Sequence, residues 1–98
     1  MVHATSFCAE VWKPAWDVAR AAGLASQRAL AVDQRGHGRS SAPAEPSAYA
    51  WTRLAGDVVS VLEAEFASEG PALLIGHSSG GTAVLAAAAM RPEMAAAV

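Results

Sequence analysis

The chain has 98 residues, a net charge of −2 and a pI near 5.8, which allows one domain at most and leaves no basic patch for nucleic acid. Hydrophobic residues make up 53% of it, enough for a core, although many are alanines that contribute little area each. No apolar run reaches the length of a membrane span, no signal peptide opens the sequence, and the lone Cys8 excludes an internal disulfide, so a reducing, cytoplasmic setting without a membrane partner is expected.

In chain order, Met1-Val2-His3 reads as the last residues of a strand whose earlier residues lie outside the sequence, followed by a loop of small residues through Phe7. A helix comes next. Pro14 suits its first turn, Trp12, Ala15, Trp16 and Ala19 share one face, and Gly23 suits its C-cap. The tryptophan pair is assigned to the core; Trp12, nearest the loop, is also a candidate pocket-lining residue. Arg28–Val32 is a short strand and Asp33–Ser40 a polar, glycine-rich loop. Ser41–Pro46 is an exposed connection, and Ser47 is a candidate N-cap. From there Trp51, Leu54, Val58, Leu62 and Phe66 step along one face of an amphipathic helix that Gly70-Pro71 ends. Ala72–Ile75 is a strand, an alanine-rich helix runs to Met90, and Met94–Val98 approaches another strand. Alternating strands and helices imply a parallel α/β sheet with right-handed crossovers.

The stretch Ala72–Ala89 organises the rest: strand, sharp turn, helix, with Ser78 at the apex of Gly76-His77-Ser78-Ser79-Gly80. A turn this tight forces unusual backbone angles on the serine, and neighbours carrying a Cβ would clash with it. That is the G-x-S-x-G nucleophile elbow, and Gly81 is expected to let the helix pack close to the sheet. The competing reading is an ordinary strand-to-helix turn with an incidental serine. A phosphate loop is excluded because Thr82 stands where the lysine is needed. A dinucleotide fingerprint opening at Gly36-His37-Gly38 fails because Ser41 takes the place of its third glycine.

Three segments in the right order resemble the α/β-hydrolase fold superfamily. His3-Ala4-Thr5-Ser6 is similar to the H-G-x loop that supplies an oxyanion donor, with Ala4 in place of the glycine. Asp33–Ser40 (DQRGHGRS) is similar to the D-x-R-G-x-G-x-S loop of the esterase, C–C hydrolase and haloperoxidase-like branches, and Gly76–Gly81 matches the elbow. The resemblance implies a three-layer parallel-sheet α/β-hydrolase fold of which this chain is the N-terminal and central part, one partial domain over residues 1–98. The first strands and the C-terminal half are expected to lie outside it. It implies a serine hydrolase acting on a small ester or related acyl substrate, with no metal or organic cofactor. The dehalogenase and epoxide-hydrolase branches use an aspartate at the apex that Ser78 occupies here.

On that reading Ser78 is the nucleophile. The Ser79 N–H, at a helix N-terminus, is one arm of the oxyanion hole, and the N–H of Thr5 or of Ser6 is the other. Trp12 and His77 are candidate substrate contacts. His77 is too close in sequence to reach Ser78 Oγ, and His3 and His37 are expected to be structural. After Ser78 there is no histidine and the only acid is Glu93, so the triad base and acid are absent from the chain. Asp33 and Arg35 are expected to brace their own loop. The strand ending at His3 should lie between the elbow strand and Arg28–Val32. The rival class is a non-catalytic family member that only binds a ligand or partner.

Overall fold

A computed structural model describes residues 1–24 and 28–98. Among them are helices α1 (Lys13–Ala21), α2 (Trp51–Phe66) and α3 (Ser79–Met90), and strands β1 (Ala72–Leu73) and β2 (Ala95–Ala97). β1 and β2 pair in parallel, Ala72 opposite Ala95 and Leu73 opposite Ala97. Beyond β1 the chain stays extended to Gly76, which bridges Val2 in parallel, and Val2 bridges Val32 on its other side. The order across the sheet is therefore Val32, Val2, β1, β2, with the Val2–His3 segment between the elbow strand and the Val32 segment, as expected. Val2 N–H donates to Ile75 O (2.8 Å), His77 N–H to Val2 O (3.1 Å) and Val32 N–H to Met1 O (3.0 Å). The strand expected over Arg28–Val32 contracts to the single bridge at Val32, with the Met1 amino group donating to Leu30 O beside it (2.7 Å).

α1 follows a 3-10 turn, Ala9–Trp12, with Pro14 in its first turn. It closes as the glycine predicts: Gly23 adopts φ +71, its N–H donates to Arg20 O and the Leu24 N–H to Ala19 O. That pair of bonds is the Schellman arrangement. The core role of its tryptophans is not realised. No residue of α1 is buried, and Trp12 and Trp16 are only half covered. Trp16 borders an apolar cavity instead of filling a packed site.

α2 also differs from its sequence reading at the start. Pro46–Tyr49 forms a separate 3-10 turn in which Ser47 O accepts from Ala50 N–H, and the N-cap is Ala50, whose carbonyl accepts from Arg53 and Leu54. Ser47 caps nothing, since the turn that begins at Pro46 consumes it. The buried stripe is Ala55, Val58, Val59 and Leu62, flanked by Leu54 and Phe66. Trp51, the first residue of α2, is exposed.

α2 packs on α3, whose inner face is Gly80, Ala83, Val84 and Ala87. These residues, with Val2 and Leu74 from the sheet, form the core. Ala55, Ala83 and Ala87 are wholly buried within it. Ion pairs line the rim. Arg28 binds Glu65 and Glu69 and lies 5.1 Å over the Phe66 ring, and Arg91 joins Glu63 of α2 to Glu93. Exposed pairs of this kind contribute about 0–1 kcal/mol each. Among the described residues no helix is long and apolar enough to cross a membrane.

Candidate active site

Ser78 has φ +53 and ψ −117, a region that side-chain-bearing residues rarely occupy, and it directly precedes α3 as its N-cap residue. Its carbonyl accepts from Thr82 N–H (3.1 Å), and its side chain is exposed. The elbow glycines have a steric cause. A Cβ on Gly76 would lie 2.6 Å from Gly80 C and Gly81 N, and one on Gly80 would lie 2.5 Å from His3 O and closer still to Val2 O. The turn folds so tightly that strand end, helix start and the neighbouring Val2–His3 backbone share one space. Gly81 is not the residue that permits this approach: a Cβ there would meet nothing nearer than Gly76 O at 3.4 Å. The close approach belongs to Gly80, because that position faces the Val2–His3 backbone.

Ala4 to Phe7 is a β-turn closed by Phe7 N–H to Ala4 O (3.2 Å), with Ser6 at φ +69. A positive φ at the third residue alone is the type II form. The Ser6 N–H donates to His37 Nε2 (3.1 Å), whereas among the described residues neither Thr5 N–H nor Ser79 N–H has an acceptor. The end of this turn approaches the elbow, with the Phe7 and His77 rings 6.5 Å apart; His77 is exposed. Trp12 sits half-buried in the following 3-10 turn with its indole N–H shielded and without an acceptor among the described residues.

His3 and His37 are both fully engaged. His3, wholly buried, accepts the Gln34 N–H at Nε2 (3.0 Å), which assigns its proton to Nδ1, and Nδ1–H donates to Ala4 O (2.7 Å). His37 accepts Ser6 N–H at Nε2 and directs Nδ1–H to Arg35 O (3.1 Å). Neither ring has a nitrogen to spare for Ser78.

The Asp33–Ser40 loop braces more than itself. Asp33 Oδ1 accepts from Ala9 N–H (2.6 Å) in the turn before α1, Oδ2 accepts from Arg39 N–H (3.0 Å), and Asp33 O accepts the Ser40 hydroxyl (2.7 Å). The Ala9 amide, then the Arg39 amide, hold the Asp33 carboxyl below its usual range. A Cβ on Gly38, at φ +53, would run into that carboxylate. Arg35 reaches outward: Nε donates to Asp57 Oδ2 of α2 (2.6 Å) and Nη1 to Ala48 O (2.9 Å). Gln34, which the sequence did not single out, is buried, and its side-chain NH2 donates to His3 O (2.6 Å) and lies 3.5 Å from Ser79 Oγ. No local signal marks it, since its partners are 31 and 45 residues away. An apolar cavity of about 400 Å³ lies elsewhere, between the Leu30 and β1 segments and α2, and Ser78 does not line it.

A parallel sheet with a strained serine between strand and helix, beside a turn whose Thr5 amide is free, defines an α/β protein of hydrolase type in its architecture. The chain belongs to the alpha/beta hydrolase family, whose model matches residues 1–98. The expected fold class, a parallel α/β domain represented in part, holds. The chain is similar to an epoxide hydrolase of Caballeronia sordidicola, 46% identical over 69 residues that cover 70% of this chain and 20% of that protein. It is also similar to epoxide hydrolase B of Mycobacterium tuberculosis (strain ATCC 25618 / H37Rv), 39% identical over 74 residues that cover 76% of this chain and 20% of the relative. The chain thus spans about a fifth of the length of the curated relatives it matches. No solved structure matches it.

Proposed function

We propose that this chain carries the nucleophile and oxyanion elements of a serine hydrolase that acts on an ester or related acyl substrate. The observation that carries the reading is the strained Ser78 at φ +53, with Gly76 and Gly80 both sterically obligatory around it. Ser78 Oγ attacks the acyl carbon and gives up its proton to a base. The developing oxyanion takes hydrogen bonds from Ser79 N–H and Thr5 N–H, the C–O bond to the leaving group breaks as the proton passes to it, and water then splits the acyl-serine. Thr5 is favoured over Ser6 because the Ser6 N–H is already given to His37. The base is none of the histidines of this chain: His3 and His37 have both nitrogens engaged, and His77 is the elbow neighbour of Ser78. Trp12 and His77 flank the turn as substrate contacts. The substrate is a small molecule, and the reaction uses no cofactor.

The names of the relatives favour a second reading, epoxide hydrolysis. Chemistry weighs against it at this apex. A carboxylate that opens an epoxide leaves an ester, which water splits; a serine oxygen leaves an ether, which water does not. Ser78 would be alkylated once and stop. The test uses the whole gene product with a fluorophosphonate probe, an activated aryl ester and an aryl epoxide. Labelling at Ser78 with ester turnover, both lost in Ser78→Ala, is expected. Epoxide turnover that survives Ser78→Ala would overturn the proposal, and no labelling with no turnover of either substrate would favour a non-catalytic binding role.

A further inference from the structure

Gln34 touches both halves of the candidate oxyanion site. Its backbone N–H sets the His3 tautomer through Nε2, and its side-chain amide holds the His3 carbonyl at 2.6 Å. His3 Nδ1–H in turn binds Ala4 O, which also receives Phe7 N–H. The Ala4 carbonyl and the Thr5 N–H belong to one planar, trans peptide unit, so fixing the carbonyl toward the His3 ring points the Thr5 N–H the opposite way. The same Gln34 amide nitrogen lies 3.5 Å from Ser79 Oγ, on the residue whose N–H is the other free donor. One buried side chain therefore spans from the Thr5 turn to the first residue of α3.

We propose that Gln34 is a positioning residue that sets the register between the Thr5 and Ser79 amides. This rests on the reading of Ser78 as an acyl-transfer nucleophile. The amide suits the place because its NH2 carries two hydrogens for two oxygen acceptors and no charge. A carboxylate there would set an oxygen against His3 O. A shift of about 1 Å between the two donors is enough to cost up to about a hundredfold in rate, because both must meet one oxygen.

The test is made in the whole gene product with Gln34→Glu and Gln34→Met, both close to glutamine in size. Fluorophosphonate titration counts competent sites, and kcat is expressed per site, so a variant that folds poorly still reports through the sites it has. Both variants should lose about ten- to a hundredfold in kcat per site with KM changed less than about threefold. Affinity for an alkyl boronic acid, whose tetrahedral adduct places an oxygen in the same hole, should fall by the same factor. Gln34→Glu alone should recover relative to wild type as pH falls and the introduced carboxyl regains a proton to donate to His3 O. Wild-type kcat per site in both variants, with only a lower melting temperature or fewer sites, overturns the positioning role and leaves the Ser78 reading standing. Failure of the wild-type protein itself to label at Ser78 removes that reading, and the positioning role with it.

Discussion

Substituting Gly80 by alanine adds one methyl group at the point where α3 meets the sheet. The new Cβ would stand 2.5 Å from His3 O and 2.7 Å from Val2 C, with Val2 O nearer than either. Carbon and oxygen settle at about 3.3 Å or beyond, so the backbones must separate by about 1 Å. Both sides are backbone, so no rotamer change relieves the clash. α3 must move as a unit, pulling Ala83, Val84 and Ala87 away from α2. Overpacking of this kind costs about 1–3 kcal/mol, set against about 0.5–1 kcal/mol gained from alanine's better helix propensity. Gly81→Ala is the internal control. Its Cβ meets Gly76 O at 3.4 Å, so it keeps the propensity gain with little steric penalty. The propensity gain is common to both variants, so urea unfolding should separate their stabilities by about the overpacking cost, about 1–3 kcal/mol, with Gly81→Ala at or above wild type. Ser78 labelling should slow only in Gly80→Ala. Equal midpoints for the two variants, or a loss in Gly81→Ala as large as in Gly80→Ala, would refute the steric assignment.

Arg35→Met should destabilise by about 1 kcal/mol, since it removes a paired guanidinium that is only partly exposed and frees Ala48 O. A double-mutant cycle with Asp57→Asn should show coupling that shrinks as salt is raised. Asp33 gives a pH signature. Its carboxyl is depressed in the folded state, so its contribution is fully present above the ordinary aspartate value near about 3.9 and is lost as pH falls through the lower folded value. Stability measured by urea midpoint below about pH 4 should therefore fall less steeply in Asp33→Asn than in wild type, and parallel curves would contradict the hydrogen-bond assignment.

What was legible in the sequence was steric. Gly76, Ser78, Gly80 and the C-cap Gly23 announce themselves because few residues tolerate those backbone angles and approaches, and all four sit where the spacing put them. The sheet order followed from requiring the His3 and Ser78 segments to be neighbours. What was not legible depends on partners far along the chain. Gln34 reads as one more polar loop residue until His3, 31 positions back, closes on it. Trp51 continues a hydrophobic stripe on paper, yet it is exposed at the start of α2, while Ala55 and Val59, outside that stripe, are buried. Ser47 is a good capping residue by type, but Pro46 had already committed it to a different turn. The approach attributed to Gly81 belonged one residue earlier because only the direction of the missing Cβ distinguishes the two glycines.

The small, wholly buried residues of α2 and α3 set how this region is able to drift over evolutionary time. Ala55, Ala83 and Ala87 are wholly enclosed, so their replacements are restricted to residues no larger than alanine unless a packed neighbour shrinks in the same lineage. Among the described residues, Leu85 and Met90 lie exposed on the outer surface of α3, where larger side chains are accommodated. Diversification should therefore concentrate on that outward side of α3, and the inner positions should change only in compensated pairs. A helix that looks like featureless polyalanine is then among the least interchangeable parts of the chain.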